Sequence, residues 1–431
     1  MDIPTSATQQ LDRYPAYRES GVDWLGEVPA HWETIRMKFL FQDVSVKNHP
    51  TAELLSVTQD QGVVPRSWVE NRMVMPSGAL ESFKYIEKGD FAISLRSFQG
   101  GLEYCYHDGI ISPAYTVLKM SDDLNEGYYK HLFKSYSFIS EMQTSTVGIR
   151  QGKNVSYPEL SNSLLPIPPV EEQTAIARYL DERTAQIDRA VTQKERLIEL
   201  LRERQQILVQ RAVTKGLDPN APMRDSGVDW LGEVPVGWEV TKVKFYATVF
   251  VPERSKPELN KQKEGFPWVT TEMIRSGLTT SNEIQFHASN ASITKAGSRI
   301  IKSGSVVATC VGNFGISTVV PFDCIINQQL QGFTNLKING EYLDQVVKLS
   351  EDYFDVNATM TTIKYVNRDV FADLPLPVPP AQEQIQIVQY VKHLNHKTTQ
   401  AITLQQTQIE RLREYKATMV DAVVTGKVRV Q

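Results

Sequence analysis

Polar side chains suited to hydrogen bonding with nucleic-acid bases are concentrated in loops of this 431-residue chain. Arginine and lysine donate to guanine edges or to phosphates, whereas asparagine and glutamine pair with adenine edges. In the first half the candidates are Arg96, Gln99, Arg150, Gln151 and Lys153. The second half supplies Asn313, Asn327, Gln328, Thr362 and Lys364 at corresponding places. Any one of them could be an ordinary solvated loop residue, but the loops as a group favour recognition chemistry.

The sequence lacks the patterns that carry catalysis. No glycine-rich phosphate loop follows a predicted strand, and the seven histidines are scattered. The three cysteines are not spaced as metal ligands. The Pro-Pro pairs stand in LPIPP and LPVPP, not in the motif of an amino-methyltransferase. We therefore expect a chain that is non-catalytic by itself, with no catalytic residue, metal or cofactor.

Two landmarks occur twice in the chain. The segment SGVDWLGEVP stands at residues 20–29 and again at 226–235, and each copy is followed by a Trp-Glu pair. LPIPPVEEQ at 165–173 is answered by LPVPPAQEQ at 376–384. Such repetition indicates a tandem duplication. The tryptophans of the first landmark are interpreted as packing anchors, with a partner-binding edge as the alternative.

Each second landmark opens a long predicted helix. Residues 170–213 contain no glycine or proline, Gly216 ends the first helix, and Gly426 ends the second. A helix of about 44 residues is about 65 Å long. The predicted seam of the helix pair is Ile176, Leu180, Ile187, Val191, Ile198, Leu201, Leu208, Ile387, Val391, Leu394, Ile402, Ile409, Leu412, Met419 and Val423. Polar residues interrupt it at matched points, Lys194 with Gln405 and Gln205 with Lys416, and such layers fix register.

The two helices are expected to pair antiparallel and to hold a globular domain at each end, although two independent amphipathic helices are the alternative. Short apolar runs mixed with glycine, proline and helical stretches predict an α+β class for both domains. The predicted boundaries are 1–165 for the N-terminal globular domain, 166–216 for the central helix, 217–375 for the C-terminal globular domain and 376–431 for the C-terminal helix.

Charge and composition limit the partners. The net charge is −4 and neither half is basic, so phosphate contacts would come from a locally basic face or from partner subunits. No apolar run approaches the roughly 20 residues of a membrane span, and no secretory signal is visible. A small and odd number of cysteines is typical of proteins whose thiols are reduced. A cytoplasmic protein is expected.

The landmarks resemble those of the specificity subunits of type I restriction-modification systems, over nearly the whole chain. The similarity rests on the W-L-G-E-V-P…W-E entry, the L-P-x-P-P exit into a helix with an I-x-x-Y-L-[DE]-like run at residues 176–182, and the helix ends AVTKG and AVVTGK. The second exit departs from the pattern, with Tyr390-Val391-Lys392 where the first has Tyr179-Leu180-Asp181.

The resemblance implies that each domain reads one half of a split asymmetric sequence in double-stranded DNA. The paired helices would set the spacer and dock two modification subunits, which carry S-adenosylmethionine and the adenine-N6 chemistry. Two ATP-dependent restriction subunits would join them. An orphan or methylation-only specificity subunit is the nearer alternative, and a coiled-coil scaffold with two protein-binding domains is the other. The recognised bases cannot be read from the loops.

Overall fold

The computed structural model describes residues 12–69, 80–95, 97–147, 154–278, 280–360 and 363–430. The chain divides into two compact units. Unit 1 comprises Met1–Arg196 and Gln405–Gln431, and unit 2 comprises Leu197–Leu404. Each unit therefore contains one globular domain, one part of the first long helix and one part of the second.

The elements from the start of the chain to the end of the first long helix are short apart from that helix. The strands are β1 Tyr17–Glu19, β2 Glu27–Pro29, β3 Glu33–Arg36, β4 Phe41–Val44, β5 Leu55–Thr58, β6 Gly62–Pro65, β7 Lys84–Ile86, β8 Phe91–Ile93, β9 Glu103–Tyr104, β10 Gly109–Ile111, β11 Thr116–Met120, β12 Thr146–Val147, β13 Asn154–Val155 and β14 Leu164–Ile167. The helices are α1 Ser97–Gly100, α2 Glu126–Leu132, α3 Tyr136–Thr144, α4 Tyr157–Leu160 and α5 Val170–Lys215.

The rest of the chain follows a similar order. The strands are β15 Met223–Asp225, β16 Glu233–Pro235, β17 Glu239–Lys242, β18 Thr248–Phe250, β19 Leu259–Asn260, β20 Phe266–Val269, β21 His287–Ala288, β22 Val306–Thr309, β23 Ser317–Val319, β24 Ile325–Ile326, β25 Leu330–Thr334, β26 Thr359–Met360, β27 Lys364–Tyr365 and β28 Pro375–Val378. The helices are α6 Thr271–Ser276, α7 Asn290–Ala296, α8 Gly340–Leu349, α9 Glu351–Asn357, α10 Arg368–Ala372 and α11 Ala381–Val424.

Both units are built on the same four-stranded antiparallel sheet. Its order is β4-β11-β8-β9 in unit 1 and β18-β25-β22-β23 in unit 2. The strand β8 is buried at every position, as is its counterpart β22, which explains why both read as unbroken apolar runs. The α+β class predicted from the sequence is confirmed.

A second pairing closes each domain on itself. In unit 1, β3 pairs antiparallel with β14, and in unit 2, β17 pairs with β28 in the same way. The first member of each pair follows the repeated tryptophan segment, and the second carries the Leu-Pro landmark. The two landmarks of each copy are therefore neighbours in space, and the start and end of each domain meet beside the first turn of a long helix.

The remaining sheet elements differ between the units. Unit 2 has a second four-stranded sheet of order β19-β21-β20-β24, in which β20 and β24 run parallel. In the corresponding stretch of unit 1, the described residues form two two-stranded pairs, β5-β6 and β7-β10. The cores differ as well. Edge-to-face aromatic contacts join Phe41, Phe91 and Phe133 in unit 1, whereas in unit 2 Phe371 lies at small interplanar angles to Phe333 and Phe354, 31° and 29°.

Each long helix ends at a glycine in the left-handed region. Gly216 has φ +75° and Gly426 has φ +74°. A Cβ at Gly426 would collide with the ring of Pro29, and one at Gly216 would lie 2.8 Å from Glu383 Oε1. The backbone conformation and the close approach of the entry segment therefore both require glycine here.

The predicted seam positions are buried or half-buried in the helix parts of each unit. The buried ones are Ile176, Leu180, Ile187, Val191, Ile198, Ile387, Val391, Ile409, Met419 and Val423. The half-buried ones are Leu201, Leu208, Leu394, Ile402 and Leu412. Among the described residues, no helix combines the length and the apolar content needed to cross a membrane.

Polar contacts within unit 1 show that its helix parts run antiparallel. Asp188 pairs with Lys416 at 2.7 Å, and Lys194 Nζ donates to Gln405 Oε1 at 3.1 Å. The partner number falls as the position on α5 rises, which is the antiparallel pattern. In unit 2, Gln205 Nε2 donates to Asn395 Oδ1 at 2.7 Å. The polar residues that interrupt the seam thus find polar partners inside their own unit.

Candidate nucleic-acid interface

The repeated landmarks form a rigid support for each domain. The indole Nε1 of Trp32 donates to Glu172 Oε2 at 3.0 Å, and Trp238 Nε1 donates to Glu383 Oε2 at the same distance. Both tryptophans are buried. The Trp-Glu entry and the Glu-Gln exit of each copy are therefore one hydrogen-bonded unit, and packing explains the tryptophans at these two positions.

The glutamine of each exit motif joins the domain to the helix. Gln173 accepts from the backbone N–H of Asn125 and donates to the carbonyl of Pro168. Gln384 makes the same two bonds, with Asn339 and Pro379. All four distances lie between 2.8 and 2.9 Å. Asn125 and Asn339 in turn cap α2 and α8, so this support sets the position of the following helix in both domains.

A buried tyrosine completes the support from each domain helix. Tyr128 donates to the carbonyl of Val424, at the end of α11, at 2.7 Å, and Tyr342 donates to the carbonyl of Val213, near the end of α5, at 3.0 Å. Burial raises the pKa of both phenols well above the usual value, so both stay protonated donors. Each satisfies a helix-end carbonyl that has no partner within its helix.

Three segments of unit 2 are joined to one another by backbone hydrogen bonds. The N–H of Cys310 donates to the carbonyl of Gln329, that of Gly312 to Lys364, and that of Val366 to Cys310, at 2.9–3.0 Å. Below them the buried Gln331 donates through Nε2 to the carbonyl of Val366 at 3.1 Å. The segments 310–315, 327–331 and 363–366 therefore form one connected surface.

The described candidate residues of unit 2 lie on this surface and differ in how far their side chains are already engaged in hydrogen bonds or ion pairs. Asn313 is exposed, and its side-chain amide makes no hydrogen bond within the described part of the chain. Gln328 is exposed and donates to the carbonyl of Arg254 at 2.9 Å, while half-buried Asn327 accepts from the N–H of Gln329 at 3.2 Å. Lys364 pairs with Asp355 at 2.8 Å. The side-chain amide of Asn313 is therefore the most available of these groups for binding a base. The charge of Lys364 is partly compensated by Asp355.

The sequence reading missed one part of the unit 2 surface. The loop that follows β18 carries Arg254 and Lys256, both exposed, and Gln328 fastens this loop to the others. Lys256 lies over the ring of Trp268 at 5.8 Å. The polar run PERSK directly after a predicted strand was the available signal. These two cations add a locally basic edge to a domain that is not basic overall.

In unit 1 the described candidate is Gln99. It lies on α1, is exposed, and its amide makes no hydrogen bond among the described residues. The helix α1 follows β8 as the 310–315 loop follows β22, so Gln99 and Asn313 occupy corresponding loops on different backbones. Arg96, Arg150, Gln151, Lys153 and Thr362 lie outside the described residues.

The described candidate side chains offer hydrogen-bond donors and acceptors. No group of three or more histidine, cysteine or acidic side chains that could hold a metal ion occurs among the described residues. Burial raises the pKa of Cys105, Cys310 and Cys324 to about 12, so these buried thiols remain protonated and unreactive at neutral pH.

Two domains of one architecture, each with free amide side chains on loops above a shared support, define a class of modular recognition protein. Residues 235–411 match the family model described as the type I restriction modification DNA specificity domain. The putative type I restriction enzyme MjaX specificity subunit of Methanocaldococcus jannaschii is 22% identical over 370 residues, covering 81% of this chain and 78% of that protein. The MjaVIII specificity subunit of the same organism is 23% identical over 340 residues, 75% of each chain. Over most of its length this chain is therefore similar to type I restriction enzyme specificity subunits, and residues 235–411 match their DNA specificity domain.

Solved structures agree on the fold. A chain described under "Structural basis underlying complex assembly and conformational transition of the type I R-M system" has a TM-score of 0.69 at 18% identity, covering 92% of this chain and 98% of that one. The HsdS subunit from Thermoanaerobacter tengcongensis has a TM-score of 0.58 at 18% identity, covering 93% and 98%. At such identities the likeness establishes the architecture alone.

Proposed function

We propose that this chain is the non-catalytic DNA-specificity subunit of a type I restriction-modification complex, and that each unit reads one half of a split asymmetric target in double-stranded DNA. The observation that carries the proposal is a contrast within each unit. The contacts that join the domain to the long helices, here called the frame, are repeated in both units, whereas the loops are not. The Trp-Glu, Gln and Tyr contacts are the same in both units, whereas the corresponding loops present Gln99 in one and Asn313 in the other. One frame with two sets of reading groups suits two different half-sites.

The long helices would set the distance between the half-sites. They contain 46 and 44 residues, which correspond to about 69 and 66 Å of helix. Antiparallel polar contacts inside each unit support a fixed register, because Lys194 and Gln205 bond only where their partners face them. Inserting one heptad into both helices should lengthen the unread spacer and leave both half-sites unchanged.

Partner subunits would supply what this chain lacks. We infer that the helices dock two modification subunits with their S-adenosylmethionine and adenine-N6 chemistry, and that two ATP-dependent restriction subunits complete the assembly. The target adenine would be flipped out of the duplex for methylation. Because this chain carries a net charge of −4, much of the phosphate contact would come from the modification subunits. The whole assembly would work in the cytoplasm, where the DNA is.

The decisive experiment is single-molecule sequencing of DNA from cells that express this chain with its modification subunit. We expect N6-methyladenine at one split asymmetric motif, lost when this chain is deleted. Methylation at a continuous motif that survives the deletion would refute the specificity role. Detection of restriction activity in the same cells would separate a complete system from a methylation-only one.

Matched variants assign each half-site to a unit. Gln99→Ala and Asn313→Ala each remove an exposed side-chain amide without removing a hydrogen bond of the described chain, so neither should disturb folding. Each should cost about 1–3 kcal/mol of discrimination at one half-site and leave the other intact. Asn220→Ala, an exposed asparagine in the segment after α5, is the control and should change neither. Equal effects of both variants on both half-sites would contradict the assignment.

A further inference from the structure

One lysine, Lys134, anchors the short helix α1 of unit 1. Lys134 Nζ donates to the carbonyl of Gly100, the last residue of α1, at 2.9 Å. It also donates to the carbonyl of Gln59, in the turn between β5 and β6, at 3.0 Å, and to Glu103 Oε2 at 2.6 Å. All three hydrogens of the ammonium group are therefore used, and they join a hairpin turn, a strand and the α1 loop.

Glu103 makes this anchor rigid. Its side chain is 0% exposed, whereas that of Lys134 is 31% exposed. Its other oxygen, Oε1, is buried and has no partner within the described chain, so Lys134 alone compensates the charge. Burial raises the pKa of Glu103 to about 7, with the charge of Lys134 acting in the opposite direction. Above that pH Glu103 is a buried carboxylate with one cationic partner, and separating the two would leave an uncompensated charge. Below it the 2.6 Å hydrogen bond from Lys134 remains.

The backbone of α1 is restrained on its other sides as well. Gln143 Nε2 donates to the carbonyl of Phe98 at 3.0 Å, and Ser97 Oγ accepts from the N–H of Ser94 at 2.8 Å. Gly101 has φ +82°, and a Cβ there would collide with the carbonyl of Phe133. The chain beside α1 is thus pressed directly onto the end of α2, while the side chain of Gln99 stays exposed and free.

Unit 2 offers a natural contrast. Lys348 follows Tyr342 by six residues, as Lys134 follows Tyr128. Its ammonium pairs with Asp344 one turn earlier on the same helix, at 2.6 Å. Among the described residues it donates no hydrogen bond to the 310–315 loop. Ser317 stands at the start of β23, where Glu103 starts β9, and it too bonds Asp344. The lysine at this position therefore bonds within its own helix in unit 2, whereas in unit 1 it joins three separate segments.

We propose that Lys134 is a positioning residue for DNA reading by unit 1, holding α1 through the Gly100 carbonyl so that Gln99 faces its base pair in a fixed pose. The proposal rests on the proposed function of the loops. Lys134 would thereby set specificity at one half-site through its hold on α1, without itself being the reading group. Without Lys134 the α1 carbonyl and the hairpin turn lose their common anchor, and Gln99 samples several positions.

The test compares Lys134→Met with Lys348→Met in the full chain assembled with its modification subunits. Affinities are measured for the methylated motif's duplex and for duplexes changed one base pair at a time. A mismatch in a specific site typically costs roughly 5- to 150-fold in affinity. Lys134→Met should reduce this ratio at least 5-fold at the base pair that Gln99→Ala identifies, and nowhere in the other half-site. Lys348→Met should leave both profiles unchanged.

Two further variants separate positioning from simple stability. Lys134→Arg keeps a multiple donor and should restore most of the discrimination. Glu103→Gln keeps the shape and an acceptor and should lower discrimination in the same half-site by a smaller factor, even if Lys134→Met folds poorly. A uniform loss of affinity on every duplex, with unchanged ratios, would overturn the positioning role while leaving the proposed function intact. Absence of any split motif for the parent chain would overturn both.

Discussion

The two units attach their domains to the long helices with ion pairs of opposite polarity. In unit 1, α2 brings Lys130 and His131 to Asp181 on α5, both at 2.8 Å. In unit 2, α8 brings Glu341 to Lys392 on α11 at 2.6 Å. Asp181 and Lys392 are equivalent positions of the two helices, 211 residues apart. The cation belongs to the domain in one unit and to the helix in the other.

The pairs also differ in how far water reaches them. The side chains of Lys130 and His131 are 23% and 12% exposed and that of Asp181 is 51% exposed, whereas those of Glu341 and Lys392 are 46% and 63% exposed. Burial lowers the pKa of His131. Burial would raise the pKa of Asp181, but hydrogen bonds from His131 and Lys130 outweigh it and hold that pKa at about 2. The unit 1 pair is therefore the stronger of the two.

Because of this difference, the two domains are not interchangeable, although they share the same frame. If the domain of unit 1 were set on the helix of unit 2, Lys130 would face Lys392, and in the reverse exchange Glu341 would face Asp181. Like charges in contact disfavour both wrong combinations. The charges at these two positions therefore favour each domain on its own helix, while the Trp-Glu and Tyr contacts are common to both units.

The largest expected effect comes from reversing the charge at Asp181. Asp181→Lys would remove the partner of Lys130 and His131 and place a like charge beside Lys130, costing unit 1 about 2–3 kcal/mol, less than for a fully buried pair because half of the Asp181 side chain is exposed. Hydrogen–deuterium exchange should show faster exchange of the α2 amides, with α8 as the internal control. Adding Lys130→Glu should restore much of the protection by giving unit 1 the polarity of unit 2. Equal loosening of α2 and α8 would contradict a local pair.

A second prediction concerns the buried carboxylate that only unit 1 has at the start of its edge strand. The folded chain holds the proton of Glu103 up to pH about 7, whereas the unfolded chain loses it near 4.5. Between these values the folded state binds more protons, so stability falls as pH rises. Relative to Glu103→Gln, the parent chain should lose about 2–3 kcal/mol between pH 5 and pH 8, since each pKa unit is worth about 1.4 kcal/mol.

Urea unfolding of both chains at pH 5, 6, 7 and 8 measures this. The difference between the parent and Glu103→Gln should grow steadily through the range and level off above pH 7.5. A constant difference would mean that Glu103 is already ionised in the folded state at pH 5 and that Lys134 compensates it fully. The difference is the informative quantity, because other titrating groups are the same in both chains and cancel.

The sequence predicted the frame well because the frame is repeated. Gly216 and Gly426 end the helices, and the apolar rhythm places residues such as Ile176 and Ile387 out of water, since both signals depend only on local geometry. The change from Asp181 to Lys392 was visible as a departure from the motif. Its meaning was not, because the partners come from α2 and α8, about 50 residues earlier in the chain, and only the fold brings them together.

The candidate site was predictable in kind and not in detail. Asn313, Asn327, Gln328 and Lys364 do share one surface of unit 2, because they follow strands and hairpins whose ends converge. Whether a polar loop residue is free depends on tertiary partners that spacing does not reveal. Asp355 takes part of the charge of Lys364, and Arg254 joins the surface through Gln328. Which of these residues touch bases and which touch phosphates stays a prediction.

A third prediction tests what the units share. Tyr128→Phe and Tyr342→Phe each leave a buried helix-end carbonyl without its donor and should each cost about 1–2 kcal/mol. The two costs should agree within about 1 kcal/mol, with Tyr342→Phe the larger if either, because the Tyr342 hydroxyl also lies 3.2 Å from the carbonyl of Pro377. Denaturant unfolding followed by hydrogen exchange at the ends of α11 and α5 measures both. A marked inequality would show that the frame, and not only the charges on it, differs between the units.

The smallest effect is expected at the charge-reversed counterpart in unit 2. Lys392→Glu places a carboxylate opposite Glu341, but both positions are largely in water, so the cost should be under about 1 kcal/mol. Raising the salt concentration to 1 M, where the screening length is about 3 Å, should remove most of it. The cost of Asp181→Lys should persist in the same salt because its partners are largely buried. If both losses vanished in salt, the unit 1 pair would be as exposed as its counterpart, and burial would not distinguish the two attachments.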